Sequence, residues 1–539
     1  MTPLSRRELL LAFLGPAVAT ACTSRKPPSL PFEGAIVGAN DGVGHLLRAG
    51  FKPTPNVESR VEVAIVGAGI AGLSAAWRLS RAGFENYRVL ELDSAPGGTA
   101  RGGSNVVTAF PWGAHYLPCP QPHARSISAL AVEMGAAERG EDGRLVFDEA
   151  QLCRAPQERL FVADRWYEGL YPLAGASPAD MDELARFSAE TRRLSALRDA
   201  RGRRAFAVPM EHGSDDADIV ALDRLSMAEW LTSHGLRGER IRWYVEYGCR
   251  DDYGTTLEGT SAWAGLHYHA SRTDRGGPDD LLTWPEGNAH VVAHLARSAG
   301  ARLETDVLVT DVRPLARGVE LVAFHPGTGR CERVLADQVV LAVPHLAAAR
   351  IFPHPRVVAE AGAFHAGAWL VANATLRRRP VSRGFPEAWD NVLYGSNSLG
   401  YVVATHQSDR HGGAPGATVY TWYLSLTHAD TREAHQWLHA LSWRDAAELV
   451  VADLQRAHPD IASCIERLDV WRWGHAMIRP RPGFVFSPER RGAALPLGDI
   501  HFAHTDLSGL ALIEEAHYHG VRAAEEILAQ RGRRPESLL

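Results

Sequence analysis

A chain of 539 residues, 45% hydrophobic and 22% charged, has enough apolar material for a large core and more than one domain. The formal net charge is -6 and the basic residues are scattered, which excludes the basic footprint of a nucleic-acid binder. Lys26 and Lys52 are the only lysines, so none lies after residue 52 to serve as a base, a Schiff-base former or a phosphate clamp.

The first residues read as an address. Arg6-Arg7 precede an apolar run, Leu9 to Ala21, that is too short to span a bilayer comfortably and ends in small residues. Ser5 to Leu10 resembles a twin-arginine signal, and Ala19-Thr20-Ala21-Cys22 resembles a bacterial lipobox. The resemblance implies an export signal over 1–22 and a periplasmic or cell-surface lipoprotein, held to a membrane surface through Cys22 without spanning it. An uncleaved anchor and an N-terminal hydrophobic helix of the folded domain are the alternatives. Residues 23–60 read as a tether and a Gly-rich N-terminal segment of unassigned role.

Residues 61–98 carry the strongest signal. The β-branched run Val61 to Val66 predicts a strand. Gly67-Ala68-Gly69-Ile70-Ala71-Gly72 follows, then a helical stretch from Leu73 to Arg81 and a second strand, Tyr87 to Glu91. Gly67 permits a tight turn, Gly69 lets the backbone approach a pyrophosphate, and Gly72 lets the helix pack close to the sheet. The opening of the helix, at Ile70 and Ala71, offers free N–H groups to phosphates. Glu91 lies 19 residues after Gly72, where a carboxylate accepts from ribose hydroxyls. The pattern predicts a dinucleotide-binding fold.

After Glu91-Leu92 come Gly97-Gly98-Thr99 and Arg101. This doublet resembles the second signature of the flavin amine oxidase, protoporphyrinogen oxidase and phytoene desaturase superfamily, whose loop closes over the pyrophosphate of FAD. Trp112-Gly113-Ala114-His115-Tyr116 is similar to the segment lying along the isoalloxazine ring, and Trp284-Pro285-Glu286-Gly287 to the family's W-P-x-G turn. Gly300 to Val312 resembles the strand that meets adenine, with Val309 at the contact, and Ala336 to Pro344 the buried strand ending in A-x-P. Phe502 to Asp506 and Ile513-Glu514-Glu515-Ala516 resemble the closing FAD motif, with Asp506 near the ribityl-phosphate region and Ile513 and Glu514 beside the flavin. Four positions depart from the pattern: Thr99 stands for an arginine, His504 for a small residue, Glu515 for a glycine, and Leu512 for a cage tyrosine.

The resemblance implies an α/β protein with a discontinuous, Rossmann-like FAD-binding domain (61–125, 285–350 and 490–530) and a second α+β substrate-binding domain (126–284 and 351–489). It implies an FAD-dependent oxidoreductase that acts on a C–N or C–C bond of a small molecule and passes electrons to oxygen or a quinone. A desaturase or isomerase-like enzyme on a lipophilic substrate, and a non-catalytic flavin-binding partner protein, are the alternatives. His115 is the histidine placed nearest the flavin and the candidate for proton transfer, against a purely structural histidine. The many aromatic residues of 126–284 and 351–489 would suit an apolar or cationic substrate, though most should build the core. Cys119, Cys153, Cys249, Cys331 and Cys464 show no C-x-x-C spacing and read as thiols. No metal site is expected. The triplets His267-Tyr268-His269 and His517-Tyr518-His519 lack a completing carboxylate or cysteine cluster, and on a helix their histidines diverge by about 200°.

Overall fold

The computed structural model describes residues 30–38, 40–272, 280–408, 416–428 and 430–539. Residues 1–22, expected to be an export signal ending at Cys22, lie outside the described residues. Among the described residues no helix is long and apolar enough to cross a membrane.

Strand β1 (Val57–Val66) changes character along its length. Its first four residues are exposed or half-buried and its last four are all buried, as a central parallel strand requires. It begins at Val57, so the expected domain boundary at residue 61 falls inside it. Helix α1 (Ile70–Arg81) follows, then β2 (Tyr87–Leu90), parallel to β1 with Val63 opposite Tyr87. On the other side β1 pairs in parallel with β3 (Arg330–Leu341), Val66 opposite Leu341. The short strand Leu303–Glu304 extends the sheet beyond β2. An antiparallel meander of 308–314 and 319–325 extends it beyond β3, and Ile500–Phe502 lies parallel to the end of β3.

The Ala-rich α1 is buried from Ile70 to Leu79 because the sheet covers one side and α2 (Ile513–Gln530) another. The two helices touch where Gly520 faces Ala71. A side chain on Gly520 would collide with the Ala71 carbonyl. Ser74 Oγ and His517 Nδ1, 2.8 Å apart, fix the register.

The second sheet is built around β4 (Ala366–Leu376), β5 (Asp390–Leu393), β6 (Thr418–Leu426) and β7 (Ile465–Ile478). Its order is β7-β4-β6-(401–403)-β5-(158–162)-(165–168). After Ala366 every residue of β4 is buried, since both faces are covered. Helices 431–440 and 443–454 pack on one face, and an aromatic layer with Trp369, Trp471 and Trp473 lies on the other. Helices between 178 and 270 form a separate apolar cluster.

The Gly-rich N-terminal segment acquires a role. Leu468 N donates to Glu33 O at 3.0 Å and Val470 N to Ala35 O at 2.9 Å, so the segment adds a parallel rung beside β7. Gly34 faces the Leu468 carbonyl and Gly38 faces the Trp471 ring, both too close for a side chain. The chain then crosses to the first sheet, where Asn40 N donates to Asp93 Oδ1 at 3.1 Å.

Candidate active site

The turn after β1 is shaped by its glycines. Gly67 has φ +98°, and a Cβ there would stand 2.5 Å from the Ala342 carbonyl oxygen. Gly72 packs against the Gly67 carbonyl too closely for any side chain. Gly69, the N-cap of α1, is different: a Cβ there would meet nothing within 4 Å, because it faces open space. The second glycine pair closes on the first. Gly97 and Gly98 have φ +124° and +54°, and Gly97 N donates to Ala68 O at 2.8 Å. Glu91 braces the turn, with Oε2 accepting from Ala68 N at 2.6 Å and Oε1 from Asp93 N at 2.9 Å. Each carboxylate oxygen keeps a lone pair for a ribose hydroxyl. Burial pushes its carboxyl above the ordinary range.

The open space is the end of a cavity of about 450 Å³. Gly67, Gly69, Ile70, Ala71, Gly97, Gly98 and Thr99 line it at the turn, and Glu91, Leu92 and Val309 beside it. Leu47, from the N-terminal segment, joins that wall. Gly113, Ala114, His115 and Tyr116 line it further along, with Ile513 and Glu514 at the start of α2. Three expected residues are not on the wall. Gly72 serves helix packing. Asp506 sits behind His504 and Thr505, accepting from His345 N at 2.9 Å and pairing with His504 Nδ1 at 3.0 Å. Arg101 is engaged elsewhere: it pairs with Asp93 at 3.3 Å, donates to Ala95 O and stacks over Trp471.

The loop 113–116 is held from below by the 284–288 turn. Gly287 (φ +61°) packs against His115 Cα, Asn288 N donates to Ala114 O at 3.1 Å, and Asn288 Nδ2 donates to Tyr116 O at 2.8 Å. From above, Tyr423 of β6 donates to Gly113 O at 3.0 Å and stacks on the His115 ring, with centroids 5.0 Å apart. Burial lowers the His115 imidazole to about 4, so it is neutral near pH 7. With Nδ1 toward Gly113 O at 3.3 Å, Nε2 is left as an acceptor.

Beyond His115 the cavity widens into a chamber whose acidic residues the sequence did not single out. Asp251 and Asp252 end the helix Glu239–Tyr253, and Asp390 opens β5. Tyr247 donates to Asp390 Oδ2 at 3.0 Å, and Tyr116 donates to Asp252 Oδ1 at 3.2 Å. Arg272 pairs with Asp252 at 2.7 Å. Glu514 completes the acidic wall, where burial pushes it up to about 7; burial and neighbouring acids also raise Asp251 and Asp390. Trp369, Tyr247 and Tyr423 supply aromatic surface.

Both histidine triplets lie on helices; three of the four histidines are hydrogen-bonded, and His269 packs edge-on against the Phe187 ring. His267 Nε2 meets Ala207 O at 2.9 Å, and His519 Nε2 meets Ser508 Oγ at 2.9 Å. The one group with metal-ligand spacing among the described residues is Asp199, Asp215 and Asp216, which lies elsewhere and is answered by Arg201 and Arg203.

The profile of the flavin containing amine oxidoreductase family matches residues 70–528, from the start of α1 to the end of α2. The chain belongs to this family. The flavin amine oxidoreductase fold extends to solved structures: a putrescine oxidase double mutant superposes with a TM-score of 0.64 at 19% identity, over 88% of this chain and 100% of that one. Among curated relatives, oxidoreductase PigB of Serratia sp. is 24% identical over 287 residues, covering 51% of this chain and 42% of that protein. The putative flavin-containing monoamine oxidase AofH of Mycobacterium tuberculosis is 28% identical over 299 residues, covering 53% and 57%. The matches thus span about half the length of these relatives. The cofactor is FAD. The chain fits it locally: a glycine turn with open space at Gly69, a helix N-terminus facing that space, a braced carboxylate at Glu91, and a cavity continuing to the 113–116 loop.

Proposed function

We propose that the protein is an FAD-dependent oxidoreductase that oxidises a C–N bond of an amine. The carrying observation is a single cavity that begins at the glycine turn and ends in a chamber with carboxylates and aromatic faces. When bound, FAD accepts the two electrons and the hydrogen that leave the α-carbon of the amine. The resulting imine is hydrolysed by water to a carbonyl compound and an amine or ammonia, and oxygen or a quinone takes the electrons onward.

The chain supplies orientation and proton handling. An ammonium has to lose a proton before its nitrogen lone pair is free for oxidation. Glu514, at the mouth of α2 and pushed up to about 7, is the base for that step. Neutral His115 presents Nε2 as an acceptor, and its stacking on Tyr423 fixes the ring. No lysine takes part, since none follows residue 52.

The test is anaerobic titration of the yellow holoprotein with amines, fatty acids and isoprenoids, following loss of flavin absorbance. Reduction by amines is expected. Reduction only by the lipophilic compounds would replace this reading with the desaturase or isomerase-like one, and no reduction by any of them would favour a flavin-binding partner protein.

Export by the twin-arginine route and attachment at Cys22 belong to the same proposal, supported by Arg6-Arg7, the Leu9–Ala21 run and the lipobox-like Ala19 to Cys22. Cys22→Ala should move the protein from the membrane fraction to the soluble exported fraction. An unchanged membrane fraction would remove the lipid tether.

A further inference from the structure

The wall of the cavity changes sign from one part to another. The chamber beyond His115 carries carboxylates, whereas the part lined by the end of β7 carries basic groups. His475, Ala476 and Met477 of β7 line it there, with Leu47 from the N-terminal segment and Ala347 and Ile351 from the helix His345–Ile351. His475 is exposed, and so are Arg48, which follows Leu47, and Arg350, in the last turn of that helix. Burial first, and then the positive fields of His435, His45, Arg48 and Arg350, lower the His475 imidazole to about 4, so both arginines stand close to it. These residues form a basic mouth to the cavity.

We propose that an electron acceptor reaches the reduced cofactor through this mouth, and that the acceptor is an anion, a quinone-type molecule with a fixed negative charge that Arg48 and Arg350 hold. The proposal goes beyond the amine reading and stands whatever the reductant is. A quinone takes two electrons and two protons and leaves as the hydroquinone.

The charge around the mouth is unanswered. Arg48 and Arg350 pair with no carboxylate among the described residues. His435 packs edge-on against His475, with ring centroids 4.3 Å apart, and its buried Nε2 has no hydrogen-bond partner. Behind His435, Arg479 is 3% exposed and spends its guanidinium on the carbonyls of Leu426 (2.6 Å) and His428 (2.7 Å), with no carboxylate beside it. The acids near these groups are occupied. Asp41 faces His439 at 3.5 Å and Arg472 at 3.9 Å, and Asp430 accepts from Arg432 N at 2.8 Å. A cluster of cations beside a low-dielectric cavity concentrates anions and repels an ammonium. A cationic reductant is therefore drawn to the acidic chamber and an anionic oxidant to this mouth, so the two need not compete for one end. Leu47, Ile351 and Met477 give the body of the acceptor an apolar wall.

The experiment uses the holoprotein, reduced anaerobically with dithionite so that no substrate is needed. Ferricyanide, an anion, and ferrocenium, a cation, are the probes. Each takes one electron, so two are consumed per reduced flavin and its protons go to water. At low ionic strength ferricyanide should reoxidise the protein about tenfold faster than ferrocenium or more, and added salt should erase the difference. The formal net charge of -6 would by itself give the reverse order. Calorimetry on the oxidised holoprotein should show saturable binding of ferrocyanide, which leaves the flavin oxidised. The double variant Arg48→Glu/Arg350→Glu, changed at exposed positions, should stay yellow, lose ferrocyanide binding and lower the ferricyanide-to-ferrocenium ratio by about tenfold or more. Equal rates or faster ferrocenium in the wild type would overturn the proposal, and that comparison stands even if the variant fails to fold. An unchanged ratio in the yellow double variant would overturn it too. A folded but colourless double variant would assign both arginines to the diphosphate of FAD instead.

Discussion

The Tyr423 hydroxyl donates to the Gly113 carbonyl over 3.0 Å, which ties β6 of the second sheet to the 113–116 loop that lines the cavity. The same ring stacks on His115. Tyr423→Phe keeps the stack and deletes the bond. The expected cost is about 1 kcal/mol of stability, with a several-fold slower flavin reduction because the 113–116 loop loses one of its fixings. Stopped-flow reduction and a thermal melt measure the two effects separately. A melt lowered without any change in reduction would confine the bond to stability.

Gly69 and Gly72 should fail in different ways. A side chain at Gly69 enters open space where the pyrophosphate is expected, so Gly69→Val should fold but purify colourless. A side chain at Gly72 collides with the Gly67 carbonyl, so Gly72→Val should lose soluble, folded protein altogether. Circular dichroism and flavin absorbance of both preparations distinguish the outcomes. A yellow Gly69→Val protein would move the pyrophosphate off this turn.

Arg272 and Asp252 form a buried pair, their side chains 10% and 4% exposed. Arg272→Gln leaves Asp252 beside Asp251 without its cation, at a cost of about 3–5 kcal/mol. Adding Asp252→Asn should restore much of the loss, because the stranded charge goes with it. Denaturant midpoints of the single and double variants check this. An equally unstable double variant would mean that packing, not charge, is what Arg272 supplies.

Glu515 gives the stability a pH dependence. Burial pushes its carboxyl from an ordinary 4.5 up to about 8, although Ser508 Oγ (2.6 Å) and Met210 N (2.7 Å) both hydrogen-bond to it. Between those values the folded protein retains a proton that the unfolded chain has released, so stability falls as pH rises. Glu514, raised to about 7, adds to the same fall. Buried histidines held below their ordinary 6.5, such as His115 and His267, oppose this trend up to about pH 7.5, so the Glu515 contribution is read as the difference between wild type and variant. Between about pH 6.5 and 8 the melting temperature of the wild type should fall relative to that of Glu515→Gln. An identical slope in wild type and variant would mean that Glu515 titrates normally.

The activity has its own limb. If Glu514 receives the ammonium proton, kcat/KM rises with pH through about 7, and Glu514→Gln removes that limb along with most of the rate. The pH profile of flavin reduction, compared with the variant's, decides it.

The parts of the site that could be read from the sequence are those made by the backbone over short distances. Gly67, Gly69, Gly72 and Glu91 form one turn within 25 residues, and the resemblance named Gly97-Gly98 and the 113–116 loop from local patterns. The chamber was not legible. Asp251 and Asp252 sit in an ordinary polar-looking helix, and Asp390 lies some 140 residues away on a strand of the other sheet. Only the fold brings them to one wall. Arg101 follows the glycine pair closely in sequence, but Asp93 and the Trp471 ring claim its guanidinium. Of the aromatic residues between 126 and 489, Tyr247, Trp369, Tyr423 and Trp473 reach the cavity, whereas Trp166, Trp263, Tyr401, Tyr420 and Trp422 are core.

The N-terminal segment touches both sheets, through Glu33 and Ala35 on β7 and through Asn40 and Leu47 on the dinucleotide side. Its binding groove on β7 is made of residues more than 430 positions later. A ribosome delivers residue 35 long before residue 470, so the earliest part of the polypeptide is obliged to wait for nearly the last. The rung that Glu33 and Ala35 add to β7 can therefore form only once nearly the whole polypeptide has been made.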